Sequence, residues 1–364
     1  MFNVRSNTHT ALRNTNIEYK MRKVFGGITM RWKKNMPAFD SNLWDDTILE
    51  DYETGDRTPR NVPYYRHKQI ADGVWQVLGN GDFVYLIEGD DEILCVDSGM
   101  GCGNVREYCQ SIVPDKPLYR VLTTHSHGDH IVNNYLFDVA YMSRTTYEAI
   151  QKSPMRMGPD TPNDYPVVFI KEGDVINLAG RPLEVIGVED HALGSLQFLD
   201  RKSRILFSGD EFNGFFYNSN FTVEYSYSQT SKLMKYRDAF DIFCAGNGIW
   251  PGEFLDKSHA GLKYILDGHA DEGKELYTAY LDPMSTISEL NGKRVIARRS
   301  PDFERLVQPL RDAGYGEWVD RLGGNAGFPL MRKLTKDGPW DRELLWDGIR
   351  IMYYRNHIWG KLER

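Results

Sequence analysis

No apolar run in this sequence approaches the ~20 residues a membrane-crossing helix needs. One of the longest, Phe83-Val84-Tyr85-Leu86-Ile87, is only a strand's length. The first thirty residues carry scattered charge and no apolar centre, so no secretory leader is expected. Cysteine is scarce. There are four in 364 residues (Cys95, Cys102, Cys109 and Cys244), and none forms a C-x-x-C pair. That excludes a disulfide-stapled scaffold and points to free thiols in a reducing compartment, so the expected location is cytoplasmic. A basic excess is also missing: 44 Lys and Arg face 51 Asp and Glu, for a net charge of −7. A protein whose main task is gripping a nucleic-acid backbone needs the opposite balance. The expected partner is a small-molecule substrate, with no nucleic acid and no membrane, and a second copy of the chain remains open. No internal repeat or low-complexity tract is found.

What is present suits a folded chain. Apolar residues make up 41%, aromatic 13% and charged 26%, the balance of an ordinary globular protein. Residues 1–65 are polar, mixed in charge and rich in turn formers, and read as an N-terminal arm. Residues 66–283 alternate strand and helix patterns. Strands are expected over 74–78, 83–88, 92–96, 119–122, 135–140, 183–188, 195–199 and 204–208, with helices over 104–112 and 145–152. A turn is expected at Gly79-Asn80-Gly81-Asp82 and a loop over 153–166, in which Met155, Arg156 and Met157 suggest a lid. Residues 284–364 form a C-terminal extension that packs on the core or makes an oligomer contact. From Thr286 onward 15 Lys and Arg stand against 11 Asp and Glu, but Trp318, Trp340, Trp346 and Trp359 are spaced like core residues, not like a base-stacking platform. The pattern as a whole implies a layered α/β fold.

The chemistry concentrates in Thr124-His125-Ser126-His127-Gly128-Asp129-His130, directly after a short buried strand. Imidazole nitrogen and carboxylate oxygen are ligands for Zn²⁺ and its neighbours, and alternate residues on a tight loop can aim at one ion. Three histidines in one hexapeptide, in a chain with nine, is improbable for a solvated loop.

These residues carry the H-x-H-x-D-H signature, and here the sequence resembles the metallo-β-lactamase superfamily. Asp97 matches that family's strand-end aspartate, His191 its next histidine and Asp210 its bridging aspartate. The resemblance runs from about Gly73 to Pro251. It implies an αββα sandwich with metals at one edge of two sheets. It further implies His125, His127 and His191 around a first ion, Asp129 and His130 around a second, and Asp210 between them. The implied cofactor is one or two zinc ions, with iron or manganese as alternatives. Two positions depart from the pattern. Asp190 replaces the glycine before His191, and Asn247 stands where the last histidine is expected, so Asn247 enters the metal-ligand set as a weak oxygen donor. His259 and His269 could replace that histidine but read as solvated. A weakened second site would leave Asp129 able to accept a proton from the attacking water, so Asp129 and Asp210 are the expected catalytic residues.

The aromatic run after Asp210 has two readings of equal standing. Phe212, Phe216 and Tyr217 wall an apolar or aromatic substrate, or the run is a packed insertion. The expected function is metal-dependent hydrolysis of a small-molecule ester, lactone, thioester or similar bond through activated water. The alternatives are a non-hydrolytic mononuclear enzyme (dioxygenase or lyase) on the same fold, and a degenerate binding protein. Glyoxalase II-like thioesterases share the first motif, but the basic residues they use for glutathione are not located.

Overall fold

The computed structural model describes residues 48–51, 57–59, 65–78, 83–100, 103–152, 162–212, 216–275, 289–290, 293–298 and 342–360. The turn at residues 79–82, Met155, Arg156 and Met157, Cys102, Trp318, Trp340 and most of the expected arm lie outside the described residues. So does the side chain of Phe216.

In chain order, β1 (Ile48–Asp51) and β2 (Arg57–Pro59) pair antiparallel. Seven strands then form the first main sheet: β3 (Arg66–Ala71), β4 (Val74–Leu78), β5 (Val84–Glu88), β6 (Ile93–Val96), β7 (Leu118–Leu122), β8 (Val139–Met142) and β9 (Val167–Phe169), in that spatial order. The first four run antiparallel; β6 to β9 run parallel. Between the parallel strands lie α1 (Val105–Ile112), the short α2 (Gly128–Ile131) and α3 (Arg144–Lys152). Asn104 caps α1 by accepting from the Glu107 backbone N–H at 3.1 Å, satisfying one of the helix's unpaired donors. The second main sheet contains β10 (Val175–Leu178), β11 (Arg181–Gly187), β12 (Leu196–Asp200), β13 (Ile205–Gly209), β15 (Ile242–Ala245) and β16 (Gly248–Pro251). Its outer face carries α4 (Val223–Met234) and α5 (Glu253–Tyr264).

Three apolar layers follow from strand alternation. Phe83, Tyr85, Leu94, Phe198 and Phe207 fill the space between the two sheets. Leu86, Cys95, Cys109 and Phe137 pack under α1 and α3. Ile186, Phe212, Phe243, Leu255 and Leu262 pack under α4 and α5. The result is the expected αββα sandwich. Buried Arg181 ties the sheets at one margin: it bonds Asp200 at 2.7 Å and the carbonyls of Gly73 and Glu88, both at 3.0 Å.

Outside the two main sheets are β14 (Phe216–Asn218), which falls between β13 and β15 in the chain, and, after β16, β17 (Lys274–Glu275), β18 (Glu289–Leu290), β19 (Lys293–Arg298), β20 (Arg342–Trp346) and β21 (Ile349–Tyr353). β19 pairs with β1, so the arm and the extension meet. β21 pairs with β14, and Leu344, Ile349, Ile351 and Tyr353 are buried in the layer under α4 and α5. Residues 344–353 therefore pack on the core. The expected strand over 135–140 is instead a 3-10 turn at Asn134–Leu136 followed by β8. Buried Asn134 donates to Thr123 Oγ1 at 3.0 Å, a local bond that competes with the sheet ladder. No described helix is long and apolar enough to cross a membrane.

Candidate metal centre

The parallel strands deliver their C-terminal ends to one edge, and the site is built there. Asp97 follows β6 with φ of 59°, a left-handed conformation that Asp tolerates better than most residues. The twist turns its carboxylate back across β7. Oδ1 accepts the Thr124 backbone N–H at 2.8 Å, and Oδ2 accepts the Thr124 hydroxyl, also at 2.8 Å. Oδ2 also accepts His130 Nδ1–H at 2.8 Å. With its proton spent on Asp97, Thr124 Oγ1 can only accept from His125 Nδ1–H, at 3.0 Å. Both imidazoles thus keep their proton on Nδ1, and Nε2 carries a lone pair. One carboxylate fixes the tautomer of two histidines, which is how second-layer groups ready imidazoles for metal.

The ligand atoms converge. His125, His127, His191 and Asp210 offer one atom each within 4.8 Å of one another, and Asp129, His130 and Asp210 do the same. His127 Nδ1 lies 2.9 Å from His191 Nε2. Asp210, directly after β13, is shared: Oδ1 is 3.3 Å from His130 Nε2, and Oδ2 is 3.6 Å from His191 Nε2. The donor set fits divalent cations. A deprotonated Nε2 facing a carboxylate oxygen sets lone pair against lone pair, and a cation between them relieves that repulsion. Burial raises the Asp210 carboxyl, but where no cation intervenes, protonation of His130, His191 and His127 outweighs this and holds it below the usual carboxylate range. Gly246 makes room, since a Cβ there would stand 2.4 Å from Asp210 Oδ1 and 2.8 Å from His130 Cε1.

Asn247, the expected weak oxygen donor, directly follows Gly246, whose backbone lies against Asp210 and His130. Its Oδ1 accepts the Trp250 indole N–H at 3.0 Å, an interaction with a residue three positions on. Among the described residues, His259 and His269 are not in the converging groups. His269 stacks on Tyr264 and pairs with Glu272, as an exposed histidine does. His259 departs from expectation: it is half-buried between α4 and α5, stacked on Tyr227 and bonded to Thr230 Oγ1 at 2.9 Å.

The aromatic wall also needs correction. Phe212 is 2% exposed and stacks on Phe243 with ring centres 4.6 Å apart. Tyr217 is 1% exposed, and its hydroxyl donates to Asp190 Oδ2 at 2.8 Å. Both are core residues of the layer under α4 and α5.

A layer missed in the sequence lies behind His191. The Glu211 carboxylate accepts the backbone N–H groups of Asp190 and His191, each at 3.0 Å, and so clamps the loop that presents His191. Burial pushes the Asp190 carboxyl up to about 7, partly offset by the Ser226 and Tyr217 hydroxyls. Burial and the neighbouring Asp190 charge push Glu211 up as well. The signal available in the sequence was the adjacency of Asp190 to His191 and of Glu211 to Asp210.

Comparison with known proteins finds sequence relatives over the segment that carries these residues. Residues 79–243 match the family model described as metallo-beta-lactamase superfamily. The chain is 28% identical to a human protein named acyl-coenzyme A thioesterase MBLAC2, over 41% of this chain and 67% of that one. It is 29% identical to a hydroxyacylglutathione hydrolase of Vibrio campbellii, over 46% of this chain and 62% of that one. The chain thus spans about two thirds of the length of these relatives. Among solved structures, a metallo-beta-lactamase family protein of Thermus thermophilus superposes with a TM-score of 0.43 at 16% identity, covering 63% of this chain and 100% of that one.

Proposed function

We infer that this chain, a member of the metallo-β-lactamase superfamily, is a metal-dependent hydrolase of small-molecule thioesters or closely related esters. The observation that carries the reading is the convergence of two donor groups on the single carboxylate of Asp210. In this reading His125, His127 and His191 hold one ion, Asp129 and His130 hold the other, and Asp210 touches both. Zinc suits the nitrogen and oxygen donors. When bound, such ions supply Lewis acidity toward a carbonyl oxygen and lower the pKa of water from ~15.7 to about 7.

The chain's own residues do the rest. Asp97 holds His125 and His130 in the tautomer that presents Nε2. Glu211 fixes the backbone on which His191 stands. Leu193, two residues beyond His191, is 47% exposed and offers an apolar contact for an acyl group at the mouth. The names of the relatives, acyl-coenzyme A thioesterase and hydroxyacylglutathione hydrolase, favour the thioester over the other ester-type bonds.

A second reading, a mononuclear non-hydrolytic enzyme such as a dioxygenase, draws on one observation. The second group counts three histidine and carboxylate donors, Asp129, His130 and Asp210, and Asn247 stands where the family pattern has a histidine. Elemental analysis of protein purified without added metal, followed by a panel of thioesters, esters and lactones, separates the two. Zinc with thioester turnover, both lost in His127→Ala, is the expected result. Stoichiometric iron with oxygen consumption would establish the second reading instead. If Asp129 is the proton acceptor, Asp129→Asn abolishes turnover while the three-histidine group keeps its ion.

A further inference from the structure

One cation at the same sheet edge is left without a carboxylate. Arg144 opens α3 directly after β8, is exposed, and has its guanidinium carbon 4.2 Å above the Phe169 ring centre. It makes no hydrogen bond or ion pair among the described residues, whereas Arg106, Arg120, Arg181 and Arg237 are each spent on a carboxylate. Phe169 is 41% exposed and is buttressed edge-on by Tyr147, with ring centres 5.4 Å apart. Stacking on a ring face holds a guanidinium flat and leaves its in-plane N–H fork pointing outward, the geometry that takes a phosphate or carboxylate with two parallel hydrogen bonds.

Topology places this pair on the rim of the metal centre. β7, β8 and β9 are parallel neighbours in register, with Leu122 opposite Tyr141 and Met142 opposite Phe169. His125 follows β7, Arg144 follows β8 and Phe169 ends β9, so all three leave the sheet at the same edge. Strands are ~4.8 Å apart, so the Arg144 backbone lies about one strand from that of His125 and Phe169 about two. The loop carrying His191 is pinned to the same helix start. Ser143 Oγ and Thr146 Oγ1 donate to the Gly194 carbonyl at 2.7 and 3.0 Å. Gly194 has φ of 85°, and a Cβ there would lie 2.7 Å from Ser143 Oγ, so the approach admits only glycine.

We propose that the Arg144–Phe169 pair is an anion subsite that binds a phosphate or carboxylate carried on the thiol portion of the substrate, away from the scissile bond. The proposal rests on the thioester reading for its substrate but not for its binding test. Exposed Leu193 and the cationic rim divide the mouth between an apolar acyl group and a charged carrier. A carrier with its charge well away from the thioester suits that separation.

The test compares three thioesters of one acyl group: with coenzyme A, which carries phosphates, with glutathione, which carries carboxylates, and with N-acetylcysteamine, which carries no charge. In Arg144→Gln, kcat/KM for the anionic carrier should fall at least tenfold relative to the uncharged one, mostly through KM. The control Arg201→Gln, at an exposed ion pair elsewhere, should leave the ratio where it is in the wild type. Loss confined to coenzyme A assigns a phosphate, and loss confined to glutathione a carboxylate. Calorimetric titration of free coenzyme A and of free glutathione into both proteins reads the subsite without turnover. If the wild type hydrolyses no thioester but binds one thiol in an Arg144-dependent manner, the subsite stands and the thioester reading fails. Equal ratios and equal binding in wild type and Arg144→Gln overturn the subsite.

Discussion

Asp97 Oδ2 receives the Nδ1 proton of His130 at 2.8 Å while the same atom receives the Thr124 hydroxyl. A residue that touches no substrate therefore sets the protonation pattern of the candidate metal centre. Replacing Asp97 by Ala removes the acceptor for Thr124 and, directly or through it, for both imidazoles. Metal affinity should drop on the order of 10–100-fold, the usual effect of losing such a partner. Competition against a chromophoric chelator measures it, and unchanged affinity would contradict the arrangement.

Gly246 and Asn247 are neighbours with opposite expected outcomes. Gly246→Ala drives a methyl group into Asp210 and His130, and its metal content should fall. Asn247→Ala removes an oxygen that is turned to Trp250, and its metal content should stay at the wild-type value. Elemental analysis of both variants checks this, and metal loss in Asn247→Ala would restore the asparagine to the ligand set.

The core assignment of Phe212 predicts a stability effect in place of a specificity effect. Phe212→Ala should cost about 3–5 kcal/mol in urea unfolding, as large aromatic truncations in packed interiors do. Tyr217→Phe leaves a buried Asp190 oxygen short of a donor and should cost roughly 1–3 kcal/mol. If either variant instead keeps full stability and changes only which substrates are accepted, the wall reading returns.

Burial pushes the Cys95 and Cys244 thiols up, and Cys109 is buried beside Cys95. Thiolate is the reactive form, so these positions should be inert while the chain is folded. In Cys102→Ser, a thiol reagent at pH 8 should label none of the three remaining cysteines within minutes, and all three after unfolding. Rapid labelling of the folded variant would contradict the packing under α1 and α3 around Cys95 and Cys109, or between the sheets around Cys244.

The parts legible in the sequence were those governed by local rules. Short apolar runs bounded by polar residues gave β4, β5, β6 and β12. The histidine cluster over 125–130, with Asp97, His191 and Asp210, gave the ligands through a resemblance whose spacing is strict. The aromatic run after Asp210 could not be placed, because a buried face and a substrate wall demand the same residue types. The orientation of Phe212 depends on Phe243, which arrives thirty residues later on another strand. Asn247 was placed by correspondence with a missing histidine, and its bond to Trp250, three positions on, was not legible because no pattern marks it. Glu211 was overlooked because its role is to accept two backbone N–H groups, and its adjacency to Asp210 does not by itself mark an acceptor of main-chain donors. Arg144 gained its meaning only when β8 and β9 placed it beside Phe169.

The pairing of β14 with β21 has a consequence for how the molecule is made. The segment that leaves Asp210 is completed by a strand about 130 positions further along the chain. At ribosomal speeds of roughly 5–20 residues per second, Tyr217 waits on the order of 10 s for Ile351 to emerge opposite it. During that interval the two main sheets can already have closed over their shared interior, while the layer beneath α4 and α5 still shows apolar side chains to water. Birth of this protein therefore passes through a half-roofed stage, with the metal-bearing edge assembled before its outer cover.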